Sequence, residues 1–381
     1  MMYKIGEVFT LIRNGANIKQ GEDNTGYPIT RIETISNRVV DRNKMGYAGI
    51  HEIGRYSDYI LEDGDILMSH INSETHLGKV ALYEEIPGET IIHGMNLLCL
   101  RPNRSILNCR YAFYSLMSDG FLRQIPRIMK KSVNQASFTV TALKELQIHV
   151  PPMEQQLQIV SVMDRIQSLL LQRQKQAAVI DQLVKSRFIE LFGDYDLTHP
   201  QESWVTIKEI GTVVGGATPK TDHDEYWGGS YRWITPAELD VDSGYIYDSV
   251  RKLTKAGVES CSLQEMPVGT VILSSRAPIG KVAIAGNTFY CNQGFKNIIC
   301  KEGITPRYLY TVLLLNVEYL NSLGRGATFK EISKGIVESI RIPVPSMDLQ
   351  QQFAAFVEQT DKSKLAVQKG LQELEILKKS L

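Results

Sequence analysis

Residues 150–194 read VPPMEQQLQIVSVMDRIQSLLLQRQKQAAVIDQLVKSRFIELFGD, and this stretch decides the fold. From Met153 to Phe192 it holds no Pro or Gly. Apolar side chains recur on a four-three stripe, Ile159, Met163, Ile166, Leu170, Ala177, Ile180, Val184 and Leu191, interrupted by Arg173 and Arg187. That spacing predicts one helix of about 60 Å at 1.5 Å per residue. Its start fits, because Val150-Pro151-Pro152 is extended and Glu154 falls in the first turn, where the helix dipole favours a carboxylate. Gly193-Asp194 marks its end, as a Gly just past a helix should.

The same opening returns as Val344-Pro345-Ser346-Met347-Asp348, followed by a second helical run to Leu381 of roughly 54 Å. Its stripe is Phe353, Val357, Thr360, Val367, Leu371, Leu374 and Leu381, with Gly370 as the weak point. One amphipathic helix of this length cannot bury its own stripe. Two near-equal copies therefore predict an antiparallel coiled coil within the chain. The alternative is that each helix packs on its own domain, although ordinary domain helices average about three turns.

Outward from the helices, the whole chain reads as a tandem duplication. Ile5-Gly6-Glu7-Val8 is matched by Ile207-Lys208-Glu209-Ile210, Gly64 to Ser69 by Gly269 to Ser274, and Gly78-Lys79-Val80-Ala81 by Gly280-Lys281-Val282-Ala283. Ala136-Ser137-Phe138 is matched with Ala327-Thr328-Phe329. Features recurring in order at a near-constant offset make duplication the economical account. The expected organisation is a head at 1–150, a helical region at 151–193, a second head at 194–343 and a second helical region at 344–381. Each head reads as a mixed α/β (α+β) unit. Strands are expected at Ile66 to Ser69, Lys79 to Tyr83, Ile91 to Leu100, Val271 to Ser275 and Lys281 to Ala285, and helices near Arg110 to Met117 and Arg307 to Leu323.

A length of 381 residues allows two to three domains at roughly 150 residues each. With 43% apolar and 22% charged residues the composition is that of an ordinary globular protein. Lys+Arg and Asp+Glu both total 42, which argues against a uniformly basic nucleic-acid binder. No apolar run approaches the ~20 residues of a spanning helix, and MMYKIGEVF lacks a signal peptide's apolar stretch, so a cytoplasmic protein without membrane contact is expected. The five cysteines form no C-x-x-C pair and are expected to be reduced.

Local charge is more informative than the balance. Residues 101–150 carry eight Lys/Arg against two Asp/Glu. Within them Arg123 to Gln135 mixes cations with amides, a composition suited to phosphate contact and base-edge hydrogen bonding. Its counterpart is Gly324-Arg325-Gly326-Ala327-Thr328-Phe329-Lys330. In the second head, Gly215-Gly216-Ala217-Thr218-Pro219-Lys220-Thr221 combines paired glycines with Thr and Lys donors, and Ser274 to Lys281 sets Arg276 and Lys281 in a tight loop. Tyr226, Trp227 and Trp233 offer aromatic surface nearby, or core. Plain solvated loops remain the alternative for the basic segments.

Catalytic patterns are missing. The seven histidines form no H-E-x-x-H, no G-x-S-x-G elbow or P-loop occurs, and the acidic pairs Asp63/Asp65, Asp222/Asp224 and Asp240/Asp242 are turn-like. No metal site is expected, and the joint absence favours a binding or scaffolding protein.

The duplicated head-and-helix plan resembles the specificity subunits of type I restriction-modification systems across essentially the whole chain. The residues that carry the likeness are Pro151 to Gln156 with its copy at Pro345 to Gln352, the Gly215 to Pro219 loop followed by Tyr226-Trp227-Gly228-Gly229, and Ser275 to Lys281. The chain departs from the pattern at Arg13 to Asn17, where the fuller glycine loop is missing, and at Pro345-Ser346. The resemblance implies two target recognition domains that each read half of a bipartite sequence in double-stranded DNA, joined by two helices whose antiparallel coiled coil sets their spacing. It implies no catalytic residue and no bound cofactor here. S-adenosylmethionine is expected on partner methyltransferase subunits, two of them, with restriction subunits as further partners where they join. Expected DNA contacts are Lys79, Arg127, Lys130, Lys131, Asn134 and Gln135 in the first head, and Thr218, Lys220, Arg276, Lys281, Arg325 and Lys330 in the second. The expected helix interface is Ile159, Met163, Ile166, Leu170, Ile180, Val184, Leu191, Phe353, Val357, Val367, Leu371 and Leu374. A coiled-coil adaptor that binds only protein is the rival reading.

Overall fold

The computed structural model describes residues 1–19, 25–35, 38–132, 135–239, 244–326 and 330–380. The chain forms two compact units, Met1–Arg173 with Gly370–Leu381, and Gln174–Lys369. Two long helices, Met153–Phe192 of 40 residues and Met347–Ser380 of 34, each contribute to both units.

In the first unit a four-stranded antiparallel sheet runs in the spatial order Phe9–Asn14, Leu97–Pro102, Ile66–Ser69, Val80–Leu82. Ile66–Ser69, expected as a strand, lies inside the sheet, and all four of its residues are buried. The expected strand from Ile91 is shortened to Leu97–Pro102, because Gly94 packs against the Thr30 carbonyl and Asn96 turns at φ 79°. Helix Cys109–Met117 covers the sheet, and its Tyr111 hydroxyl donates to the His149 carbonyl at 2.8 Å.

The second unit repeats this plan. Its main sheet runs Gly211–Gly215, Lys296–Cys300, Val271–Leu273, Val282–Ala285, with Tyr245–Ile246 added parallel at the edge. Ile66 pairs with Leu100 and Leu82, and Val271 correspondingly with Ile298 and Ile284. Helix Pro306–Leu315 takes the place of Cys109–Met117, and the Tyr308 hydroxyl donates to the Pro343 carbonyl at 2.9 Å. The run expected to reach Leu323 breaks at Asn316 and resumes as Val317–Ser322. Duplication thus extends from sequence to strand order and register.

The long helices run antiparallel within each unit. In the first, Lys378 Nζ meets Gln167 Oε1 at 2.7 Å while Gly370 lies beside Arg173. In the second, Lys364 Nζ meets Asp181 at 2.8 Å while Phe353 packs against Phe188 and Phe192. Of the expected interface residues, Met163, Ile166, Leu170, Phe353, Val357 and Val367 are buried, and Ile180, Val184, Leu191, Leu371 and Leu374 are half-buried. Ile159 is 37% exposed, and its neighbour Val160 is buried instead. The cause is visible in the duplicate. Phe353, at the matching position, is covered by Phe188 and Phe192, whereas Ile159, Tyr111 and Met163 line an open cleft of about 650 Å³.

Both charged interruptions of the first stripe are accommodated. Arg173 reaches the space left by Gly370, and the Arg187 guanidinium sits 5.9 Å over the Phe356 ring.

Candidate nucleic-acid interface

The second head builds its surface from two loops and a short ribbon. The glycine loop is seated by Ala217 N–H donating to the Cys291 carbonyl at 3.0 Å. A Cβ on Gly216 would collide with the carbonyls of Cys291 and Asn292, so only glycine permits this approach. Both tryptophans brace the loop from below. Trp233 Nε1 donates to the Ala217 carbonyl at 3.0 Å and Trp227 Nε1 to that of Lys220 at 3.2 Å, with the Arg251 guanidinium 3.5 Å over the Trp227 ring. Thr218 and Lys220 are left exposed, and the Thr218 hydroxyl donates to Gln293 Oε1 at 2.6 Å.

The second loop follows the central strand. Buried Ser274 closes it, its Oγ donating to the Pro278 carbonyl at 2.8 Å and accepting the Lys281 N–H at 2.9 Å. Beyond it Arg276 and Arg325 pair on opposite sides of Glu331 in an antiparallel ribbon. Glu331 also binds the side chains on both flanks, Arg276 Nε at 3.0 Å and Lys296 Nζ at 3.2 Å. Burial works against its ionised form, but these two cations outweigh it and hold the carboxyl below its usual range. Ser275 N–H donates to the Gly294 carbonyl, next to Gln293. Thr218, Arg276 and Arg325 therefore belong to one continuous surface, with exposed Lys330 beside Glu331. Lys281 closes the second loop and is half-buried.

The first head has the same ribbon. Ala136–Ser137 pairs with Ile71–Asn72 on one side and Lys130–Lys131 on the other, so Lys130 occupies the place of Arg325. Phe138 N–H bonds the His70 carbonyl as Ile332 N–H bonds that of Ser275. Ala136-Ser137-Phe138 is accordingly equivalent to Lys330-Glu331-Ile332, three residues past the match drawn from sequence; Ala327, Thr328 and Phe329 lie outside the described residues. The shift arises because hydrogen bonding follows the capped helix that comes next, begun by Thr139 and Ser333. Lys79 lines the same cleft as Pro126 and Met129. Lys131 is ion-paired to Glu74 at 2.9 Å, Gln135 accepts from Ser132 through its carbonyl, and Arg127 is exposed. Asn134 lies outside the described residues, as do Asp240 and Asp242.

The glycine loops differ in text yet are seated alike. Ala16 N–H donates to the His93 carbonyl at 2.8 Å, and a Cβ on Gly15 would strike the carbonyls of Gly94 and His93.

The local cationic excess of 101–150 is largely cancelled in space. Arg101 pairs with Asp65 and Glu62, Arg104 with Asp63, and Arg110 with Glu84 and Asp164. These partners lie 26 to 54 residues away along the chain, so a count by segment overstates the local excess, while Arg127 and Lys130 stay exposed. Sequence reasoning also missed Gln293, Lys296 and Glu331, none of which stands in a cationic run. Among the described residues no group of three or more His, Cys, Asp or Glu is placed to hold a metal, and no helix is long and apolar enough to cross a membrane.

Fold and site together define a duplicated protein with two mixed α/β heads on two long helices. The model of the type I restriction modification DNA specificity domain matches residues 1–180 and 202–376. The chain is 32% identical over 395 residues to the putative type I restriction enzyme MjaX specificity subunit of Methanocaldococcus jannaschii, covering 99% of this chain and 90% of that one. It is 42% identical over 185 residues to the MjaIX specificity subunit of the same organism, covering 47% and 43%. A solved chain from a study of assembly and conformational transition of the type I R-M system superposes with a TM-score of 0.62 at 18% identity, over 100% of this chain and 95% of the other. The S subunit from M. genitalium gives 0.60 at 14% identity, over 100% and 94%. This chain belongs to the family of type I restriction-modification specificity subunits.

Proposed function

We propose that this chain reads a bipartite DNA sequence, one half per head, and carries two methyltransferase subunits, and restriction subunits where they join, on its long helices. It performs no chemistry itself, and S-adenosylmethionine binds to the methyltransferase partners. The observation that carries this reading is the matched ribbon, in which Lys130 and Arg325 stand opposite equivalent residues of two heads built to one plan. A cation at the same place in each copy suits two readers of one polyanion. The scaffold role is supported by apolar side chains that face solvent along the helices, among them Leu157, Leu171, Val179, Leu365 and Ile376, each more than half exposed.

The test is single-molecule sequencing of adenine methylation in cells carrying this chain with its cognate methyltransferase, against cells lacking only this chain. A two-part methylated motif that vanishes on deletion is the expected result. Unchanged methylation with both proteins expressed would instead favour the protein-only adaptor.

A further inference from the structure

Arg276 stands out among the cations of the second head because its guanidinium is held by one edge only. Its Nε donates to Glu331 Oε2 at 3.0 Å, and its side chain is 47% exposed. Among the described residues its two terminal nitrogens meet no hydrogen-bond partner. Glu331 in turn is fixed from three directions. Its second carboxylate oxygen lies 3.2 Å from Lys296 Nζ, while its backbone N–H and carbonyl bond those of Arg325 at 3.0 and 3.1 Å. Lys296 is only 14% exposed.

A guanidinium anchored through Nε has lost most of its rotational freedom and points a fork of parallel N–H donors away from the anchor. That fork matches O6 and N7 of guanine in the major groove, the commonest specific Arg contact. Glu331 offsets part of the positive charge of Arg276 and Lys296, so the fork relies less on attraction for a phosphate and more on the directed pair of hydrogen bonds that a base edge accepts. Both carboxylate oxygens of Glu331 are engaged, so it orients Arg276 rather than reading a base. The first head lacks the whole set: strand pairing puts Ile71, Ser137 and Leu98 at the positions of Arg276, Glu331 and Lys296.

We propose that Arg276 is a base-reading residue that selects a guanine in the half-site of the second head, and that Glu331 is its positioning residue. The proposal rests on the DNA-reading role argued above.

The experiment expresses the full chain with its cognate methyltransferase and reads the methylated motif by single-molecule sequencing. The variants are Arg276→Gln, Arg276→Lys, Glu331→Gln and the Arg276→Lys/Glu331→Gln double. Arg276→Gln is expected to raise methylation of motif variants at one guanine position at least about tenfold, with every other position of both halves kept. Glu331→Gln is expected to relax the same position more weakly and to add nothing in the double variant, the sign of coupling through Arg276. A fall at all sites with base preference intact would make Arg276 a phosphate contact and overturn the proposal. Relaxation by Arg276→Gln without any by Glu331→Gln would overturn the positioning role. Absence of a two-part motif with the unaltered chain would instead sink the DNA-reading role. Arg276 is exposed, so its variants test recognition rather than folding.

Discussion

Gln156 Oε1 accepts the backbone N–H of Asn108 at 2.8 Å, and in the second unit Gln350 Oε1 accepts that of Thr305 at the same distance. Asn108 and Thr305 are the N-caps of the helices that cover the two sheets. Each glutamine is fully buried, and its amide donates two further bonds, Gln156 to Ile106 and Pro151, Gln350 to Gly303 and Pro345. One side chain thus ties three backbone groups where a long helix leaves its head.

Replacing Gln156 or Gln350 by Leu would strand those groups in the interior, at about 1–3 kcal/mol for each one that water cannot reach. Each variant is expected to lose at least about 2 kcal/mol in urea unfolding, whereas exposed Gln155→Leu changes little. Equal stability of Gln156→Leu and the parent would show that the joint is not held this way.

The first sheet contains an ion pair that the second dispenses with. Fully buried Asp65 takes a two-pronged bond from Arg101 Nε and Nη2, each 2.8 Å. Arg101→Met leaves that carboxylate unpaired and is expected to cost about 3–5 kcal/mol. Strand register makes Thr270 and Ile299 the counterparts of Asp65 and Arg101. The double replacement Asp65→Thr with Arg101→Ile should therefore recover most of the loss; a double no more stable than Arg101→Met would refute the equivalence.

Buried His93 is expected to make the first unit sensitive to mild acid. Burial pushes its imidazole down to about 4 from an ordinary 6.5. Because the folded value is depressed, the unfolded chain binds the extra proton first. Stability is complete above about 6.5 and falls as pH drops towards 4, by roughly 3 kcal/mol at most, at 1.36 kcal/mol per unit. His70, also lowered by burial, acts in the same direction. Amide exchange in Ile66–Ser69 should show opening that becomes easier across this window, with a clearly flatter response in His93→Met. Identical pH responses would remove His93 as the cause.

Phosphate contacts separate by whether the cation already has an acid beside it. Lys220 and Lys330 are exposed and form no ion pair among the described residues, while Lys131 holds Glu74. Lys220→Ala and Lys330→Ala in the assembled complex are each expected to lower the slope of log affinity against log salt by about 0.9, across all DNA sequences alike. Lys131→Ala should change it less. A slope unaltered by all three would place the phosphates elsewhere.

What sequence made legible follows from range. The helix Met153–Phe192 and the strand Ile66–Ser69 announce themselves through periodicity and short apolar runs, signals contained within a few turns of chain. Arg276 and Arg325 were visible as cations in tight loops. Glu331, which joins them, lies 55 residues from Arg276, and no local pattern links them. Gln156 and Gln350 could have been found, since a polar residue repeated at one position of both helix entrances is unexplained by an apolar stripe. Thr139 and Ser333, caps of equivalent helices, would likewise have aligned Ser137 with Glu331 rather than with Thr328.

Gly370 separates a sequence signal from its structural meaning. A glycine inside a helix costs about 0.5–1 kcal/mol relative to alanine, and the residue reads as a break in the second stripe. The helix nevertheless runs unbroken from Met347 to Ser380. A Cβ built there would sit 3.7 Å from Arg173 Nε and 4.0 Å from its Cζ, ordinary contact with the end of a flexible side chain. Gly370→Ala is therefore expected to stabilise the chain by about 0.5–1 kcal/mol, raising the melting temperature by about 1–3 °C. Gly216→Ala, which would drive a methyl into two backbone carbonyls, is expected to destabilise the second head. A lowered melting temperature for Gly370→Ala would mean that Arg173 has no room to yield and that the glycine is kept for packing.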